Sequence, residues 1–174
     1  MGGFISLEDA KAQLRVDHAD EDVLIQSLIA TAARQIEEAT GFVAPAREQE
    51  AFQFDRFGRA LRLKLRPVDL DSIQISYLDP NGDEQSFTDF RAYERNGYVR
   101  IEPAIGFCWP AAACVASAVT VTADVGFGDA AADCPAELQH ASRLAVSAWY
   151  QDREGAAEPL AVAALLSDER PRRI

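Results

Sequence analysis

Ala51-Phe52-Gln53-Phe54-Asp55 and Leu61-Arg62-Leu63-Lys64-Leu65 each alternate with a period of two. They follow a segment whose apolar residues recur at helical spacing, and the change of period near Gln49 decides the fold class. Period two places alternate side chains on opposite faces of a strand, so these runs predict half-buried strands. Arg56-Phe57-Gly58-Arg59 lies between them and is expected to be a hairpin turn.

The strand pattern continues toward the C-terminus. Ser72-Ile73-Gln74-Ile75-Ser76-Tyr77 alternates in the same way and runs into Asp79-Pro80-Asn81-Gly82-Asp83, whose residue types favour a turn. Further short strands are expected near Gln85–Phe87, Ala92–Tyr93, Tyr98–Ile101 and Ala118–Val125, with Pro67, Pro103 and Pro110 marking joins. Toward the N-terminus the period is 3.6. Ser6 and Asp9 have capping-box spacing ahead of Leu7, Ala10 and Leu14. After the turn Asp17-His18-Ala19-Asp20, Asp20 is expected to cap a longer helix. Ile25, Leu28, Ile29, Ala32 and Ile36 form its apolar stripe, and Gly41 is placed to end it.

Helix returns at Asp133-Cys134-Pro135, with Leu138, Ala141, Ala145, Ala148 and Trp149 on one face and Gly155 as its end. A short apolar helix is expected over Leu160–Leu166, before a polar, charged tail. The expected architecture is α+β. A helical bundle body comes from residues 1–48 and 131–166, a small antiparallel β barrel or sandwich is inserted over 49–130, and residues 167–174 form a C-terminal tail.

Charge narrows the function classes. The 174 residues carry a formal net charge of -11, which opposes binding nucleic acid by phosphate neutralisation. Residues 1–50 hold ten acids and four bases, whereas residues 51–100 hold eight of each. The acidity therefore sits in the flanks, and an acidic field suits a surface past which DNA slides without sticking. No apolar run reaches the ~18–20 residues of a membrane span, and the opening residues lack the basic and apolar regions of a secretory signal. Cys108, Cys114 and Cys134 are odd in number and read as reduced thiols.

No catalytic arrangement emerges. Cys108 and Cys114 are six apart, as are Cys134 and His140, wider than the usual zinc pair spacing. Cys134 at a helix N-terminus is the best thiol nucleophile, since the dipole would lower its pKa, but no base is aimed at it. Asp17, Asp20, Glu21 and Asp22 are explained by helix starts. Asp79, Asn81 and Asp83 alternate like calcium ligands, yet Gly82 stands at the fourth place and not the sixth. No cofactor or metal is expected. Arg56, Arg59, Arg62, Lys64 and Arg66 alternate with apolar residues, giving either a solvated sheet face or a contact for an acidic neighbouring subunit or tail protein. Phe52, Phe54 and Phe57 are expected in the core.

Several stretches, taken in order, resemble the head-tail connector (adaptor) proteins of tailed phages and gene transfer agents. They are Ile5–Asp17, Asp22-Val23-Leu24-Ile25, Thr40-Gly41, Ile73–Gly82, Ala123–Gly128 before Cys134-Pro135, and Ala148–Glu154. The resemblance implies a structural subunit and no enzyme. It implies a ring, typically of twelve copies, between the portal and a stopper or other tail proteins in the particle neck, assembled in the bacterial cytoplasm. Double-stranded DNA would pass through the lumen without specific binding, and no membrane would be involved. It also implies that the C-terminal segment docks into the portal, which singles out Leu165, Leu166, Arg170, Arg172, Arg173 and Ile174. Asp17, Asp20, Glu21 and Asp22 would then lie on an acidic flank or lumen. The alternative is a free-standing protein-binding module or small zinc-binding protein on the same scaffold.

Overall fold

The computed structural model describes residues 3–128 and 130–151. They form a mixed α+β protein with three α-helices and seven antiparallel strands. Two compact units are present: Arg47–Val125 form one, and the residues before and after them form the other.

The flanking unit is built on three helices. α1 (Leu7–Leu14) starts as its sequence dictates. The Asp9 N–H donates to Ser6 Oγ at 3.0 Å, and the Ser6 N–H reaches back to Asp9 Oδ2 at 3.3 Å. Arg15 ends the helix in the left-handed region. α2 (Asp22–Thr40) departs from expectation at its start, because its N-cap is Glu21 and that side chain makes no capping bond. Asp20 falls one residue too early to cap it. Asp22 is held instead by Lys11, whose Nζ donates at 2.6 Å. Gly41 closes α2, its N–H donating to the Glu37 carbonyl at 2.7 Å. α3 (Ala136–Gln151) follows Pro135, as expected from a proline in the first turn. Ile25, Ile29, Ile36, Leu138 and Val146 from α2 and α3 share a buried core with Phe4 and Ala10. The expected helix end at Gly155, the helix over 160–166 and the tail lie outside the described residues.

The second unit contains two sheets. β1 (Arg47–Phe54), β3 (Gln74–Leu78), β4 (Glu84–Ser86) and β7 (Val119–Val125) form one, in the order β1-β7-β3-β4. β2 (Leu61–Leu63), β5 (Phe90–Arg95) and β6 (Tyr98–Pro103) form the other, in the order β2-β6-β5. β7 is central and alternates strictly, with Val119, Val121, Ala123 and Val125 buried. Its pairing with β1 sets Arg47 opposite Val125, so the unit begins and ends on neighbouring strands. Leu61, Leu63, Val99 and Ile101 from the smaller sheet join Ile75, Val119 and Val121 from the larger one in a single core.

The hairpin expectation is corrected. β1 and β2 belong to different sheets, so Arg56–Arg59 is a crossing between sheets and not a hairpin turn. β1 takes β7 as its partner because β7 offers seven residues of strict alternation, against three in β2. Among the described residues, no ladder joins the two sheets into a closed barrel. The turn at Asp79–Asp83 does connect paired strands, β3 and β4.

Candidate functional site

The outer face of the three-stranded sheet carries most of the basic side chains of its unit. In β2, Leu61 and Leu63 point into the core, which leaves Arg62 outward. β6 pairs with β2 so that Arg62 stands opposite Arg100, and with β5 so that Arg100 stands opposite Tyr93 and Glu102 opposite Arg91. A two-residue turn, Asn96-Gly97, fixes the second register. Asn96 has φ +56° and Gly97 φ +76°, the backbone of the tight hairpin that an Asn-Gly pair favours. Arg95 and Tyr98 face each other directly across it.

The result is a concave surface of about 610 Å³, lined by Arg59, Arg62, Arg91, Arg95 and Arg100 with Tyr93 and Glu102. Five guanidinium groups there meet one carboxylate. Glu102 Oε1 accepts from the Tyr93 hydroxyl at 2.9 Å and from Arg100 at 3.1 Å, while Oε2 accepts from Arg91 at 2.9 Å. These contacts, the Tyr93 hydroxyl first, hold the Glu102 carboxyl below the usual carboxylate range. The Arg100 side chain is only 17% exposed, and its Nε is buried with no hydrogen-bond partner among the described residues. Arg59, Arg62 and Arg95 make no ion pair among the described residues. The guanidinium of Arg91 also lies over the Tyr93 ring, 5.8 Å from its centroid.

The basic residues singled out in the sequence thus separate. Arg59 and Arg62 line this surface. Arg56 lines a second hollow, of about 460 Å³, with Phe57, Cys114 and Val115. Lys64 and Arg66 lie past the end of β2. Sequence reading missed Arg91, Arg95 and Arg100, although the Asn96-Gly97 pair flanked by short strands carried the signal. Phe57 is half-buried, stacked on Trp109 at 4.7 Å between centroids. That stack anchors a long connection whose Ile105, 90% exposed, and Phe107 face solvent.

The acidic group at the start of α2 also separates. Glu21 accepts from the Tyr150 hydroxyl, and Asp22 pairs with Lys11. Asp17 and Asp20 project into solvent, Asp20 with 95% of its side chain exposed and the His18 imidazole 4.0 Å away. Val23, beside them, is 81% exposed.

Chemistry of other kinds finds little support. Cys108 and Cys114 are exposed and Cys134 is buried. Burial first, and Asp133 second, push the Cys134 thiol up, the reverse of an activated nucleophile. Asp79 accepts the N–H groups of Asn81 at 2.8 Å and Asp83 at 3.0 Å, so its carboxylate is consumed in closing the hairpin. The Asp83 bond is the main reason its pKa is lowered. Among the described residues no group of three or more His, Cys, Asp or Glu could hold a metal ion. No helix among them is long and apolar enough to cross a membrane.

Residues 4–62 match the family of phage gp6-like head-tail connector proteins. Over its full length the chain is similar to a protein from the virion of a native gene transfer agent particle. The TM-score is 0.78 at 25% identity, covering 98% of this chain and 91% of that one. The N-terminal third is thus similar to head-tail connectors, and the whole chain is similar to a protein of a gene transfer agent virion. The fold also matches a chain in the neck of an empty gene transfer agent particle solved with C6 symmetry, with TM-score 0.74, 24% identity and coverage of 98% and 91%. A chain in the native neck, solved with C12 symmetry, gives TM-score 0.75, 21% identity and coverage of 100% and 97%. No curated protein matches the chain. The two neck structures matched in fold were solved with C6 and C12 symmetry, a property of those particles. Leu165, Leu166, Arg170, Arg172, Arg173 and Ile174, singled out in the sequence, lie outside the described residues.

Proposed function

We propose that this connector forms a ring, of twelve copies, between the portal and the stopper or other tail-side proteins of a phage-like particle. Double-stranded DNA passes through the lumen without specific binding. The observation that carries the reading is the fold likeness over the whole chain to neck components, together with the family match over residues 4–62. Such a subunit works by holding partners in place and performs no catalysis. The helices of the flanking unit form the body of the adaptor, and the β unit supplies contacts. The net charge of -11 supports a conduit that DNA does not grip.

The C-terminal segment makes the portal contact, with Leu165, Leu166 and Ile174 as apolar anchors and Arg170, Arg172 and Arg173 as polar ones. Composition supports this: seven of residues 165–174 are Leu or charged types that suit a docking segment, at the end of an apolar run. The test is deletion of residues 167–174. The truncated chain is expected to stay folded and to be missing from portal-containing particles. Truncated protein recovered in those particles at the wild-type level would refute the portal role. A tagged full-length chain found anywhere other than the neck by electron microscopy would refute the connector reading itself.

A further inference from the structure

We propose that the concave arginine face of the β2-β6-β5 sheet receives the acidic α1–α2 turn of a second copy of this chain, Asp17 and Asp20 meeting Arg62 and Arg95. The inference rests on the ring reading, which places copies side by side. A closed ring of identical chains needs two different surface patches that fit one another, because its contacts are heterologous.

The chain carries such a pair. On one side stand five guanidinium groups around a single carboxylate, with Arg62 directly across from Arg100. Like charges set opposite each other on a sheet repel, so the isolated face is under strain that an anionic partner relieves. Planar guanidinium groups hold carboxylates through paired hydrogen bonds. On the other side, Asp17 and Asp20 are exposed, whereas their neighbours Glu21 and Asp22 are already engaged with Tyr150 and Lys11. Val23 lies close by, in the first turn of α2, and is 81% exposed.

Charge and size favour this occupant over DNA. Residues 47–125 hold twelve acids and nine bases, and the rest of the chain holds sixteen acids and eight bases. The arginine face is therefore a local exception within an acidic molecule. Its volume, about 610 Å³, falls in the range of about 300–1,000 Å³ typical of clefts that take a ligand-sized group. A turn carrying two carboxylates fits that scale.

A charge exchange tests the proposal. The variants are R62E/R95E, which reverses the face, and D17K/D20K, which reverses the turn. All four positions are exposed, so both variants should keep the wild-type circular dichroism spectrum and melting temperature. Sedimentation equilibrium of the full chain, at about 50 mM and about 500 mM salt, reads the self-association that salt should screen. Wild type is expected to associate at low salt, each variant alone to associate at least about tenfold more weakly, and an equimolar mixture to recover most of the loss. Recovery is specific, because only in the mixture does every acidic patch meet a basic one. Wild type that stays monomeric at low salt overturns the proposal, as does association that survives R62E/R95E. A duplex oligonucleotide bound by wild type and released by R62E/R95E assigns the face to phosphates and also overturns it. None of these outcomes bears on whether the tagged chain sits in the particle neck, so the connector reading stands or falls separately.

Discussion

Replacing Gly126 by alanine should destabilise the protein more than the same change at Gly82, and the difference can be worked out from the geometry. Both glycines have a backbone that side chains rarely adopt, with φ +107° at Gly126 and +90° at Gly82. That strain alone costs about 1–2 kcal/mol once a Cβ is present. At Gly82 nothing among the described residues lies within 4 Å of the added Cβ, so the strain is the whole effect. At Gly126 the Cβ would come within 2.7 Å of Ala46 Cα and 3.1 Å of the Ala46 nitrogen and the Pro45 oxygen. These are backbone atoms, and they are pinned: the Ala46 N–H donates to the Gly128 carbonyl at 2.9 Å, and Arg47 pairs with Val125. Relief requires moving the chain where it enters β1 and leaves β7, an overpacking cost of about 1–3 kcal/mol. The sum is about 2–5 kcal/mol for Gly126→Ala against about 1–2 kcal/mol for Gly82→Ala. For a chain of this size each kcal/mol lowers the melting temperature by about 2–4 °C. Thermal unfolding followed by circular dichroism, with urea titration as a check, should give a clearly larger drop at Gly126. Equal drops at the two positions would show that the close approach of Ala46 imposes no constraint, and the reasoning would fail.

Three further outcomes are expected. Leu63→Ala or Ile101→Ala, each removing a side chain at 0% exposure, should cost about 2–5 kcal/mol in urea titrations, while the adjacent Arg62→Ala stays within about 0.5 kcal/mol; comparable costs would contradict the alternation of β2. An aromatic disulfide reagent should label Cys108 and Cys114 in the native protein and reach Cys134 only after unfolding, in line with their exposure. Fast native labelling of all three would place Cys134 at the surface. Ser6→Ala should cost about 1 kcal/mol at neutral pH. The Ser6 hydroxyl is the main cause that holds the Asp9 carboxyl below its ordinary 3.8. A depressed carboxylate stabilises the fold above that ordinary value and loses its contribution as pH falls through the depressed one. The gap between Ser6→Ala and wild type should therefore narrow in acid, and a gap that is constant with pH would detach Asp9 from the cap.

The elements were legible where a local rule and the tertiary partner agreed. Ser6 and Asp9 formed the capping box their spacing implied, Gly41 ended α2, and Pro135 preceded α3. Legibility failed where the partner lay far away in sequence. Arg56–Arg59 looks like a hairpin turn because the runs on either side both alternate. β7, some 65 residues beyond β1, competes for the same edge and wins with a longer alternating surface. Asp20 looked like a cap by residue type, but a cap is a position in space. The chain enters helical geometry at Asp22, which makes Glu21 the cap position, one residue after Asp20.

The arginine face shows why averaged charge concealed a patch lined by five arginines. Over residues 51–100 acids and bases cancel, eight of each, which suggests a neutral unit. Cancellation along the chain is not cancellation in space. The Asn96-Gly97 turn sets each residue of β5 against one of β6, with Arg95 opposite Tyr98 and Arg91 opposite Glu102. Period two then sends Arg91, Tyr93 and Arg95 to one face and Glu94 to the other. β2 adds Arg62 on the arginine side because Leu61 and Leu63 are claimed by the core. Two hydrogen-bond registers and one pair of buried leucines therefore sort the charges, collecting arginines on one face with Glu102 shared between Arg91 and Arg100. On the proposed contact, that sorting would let an acidic chain attract its own copies while still repelling DNA.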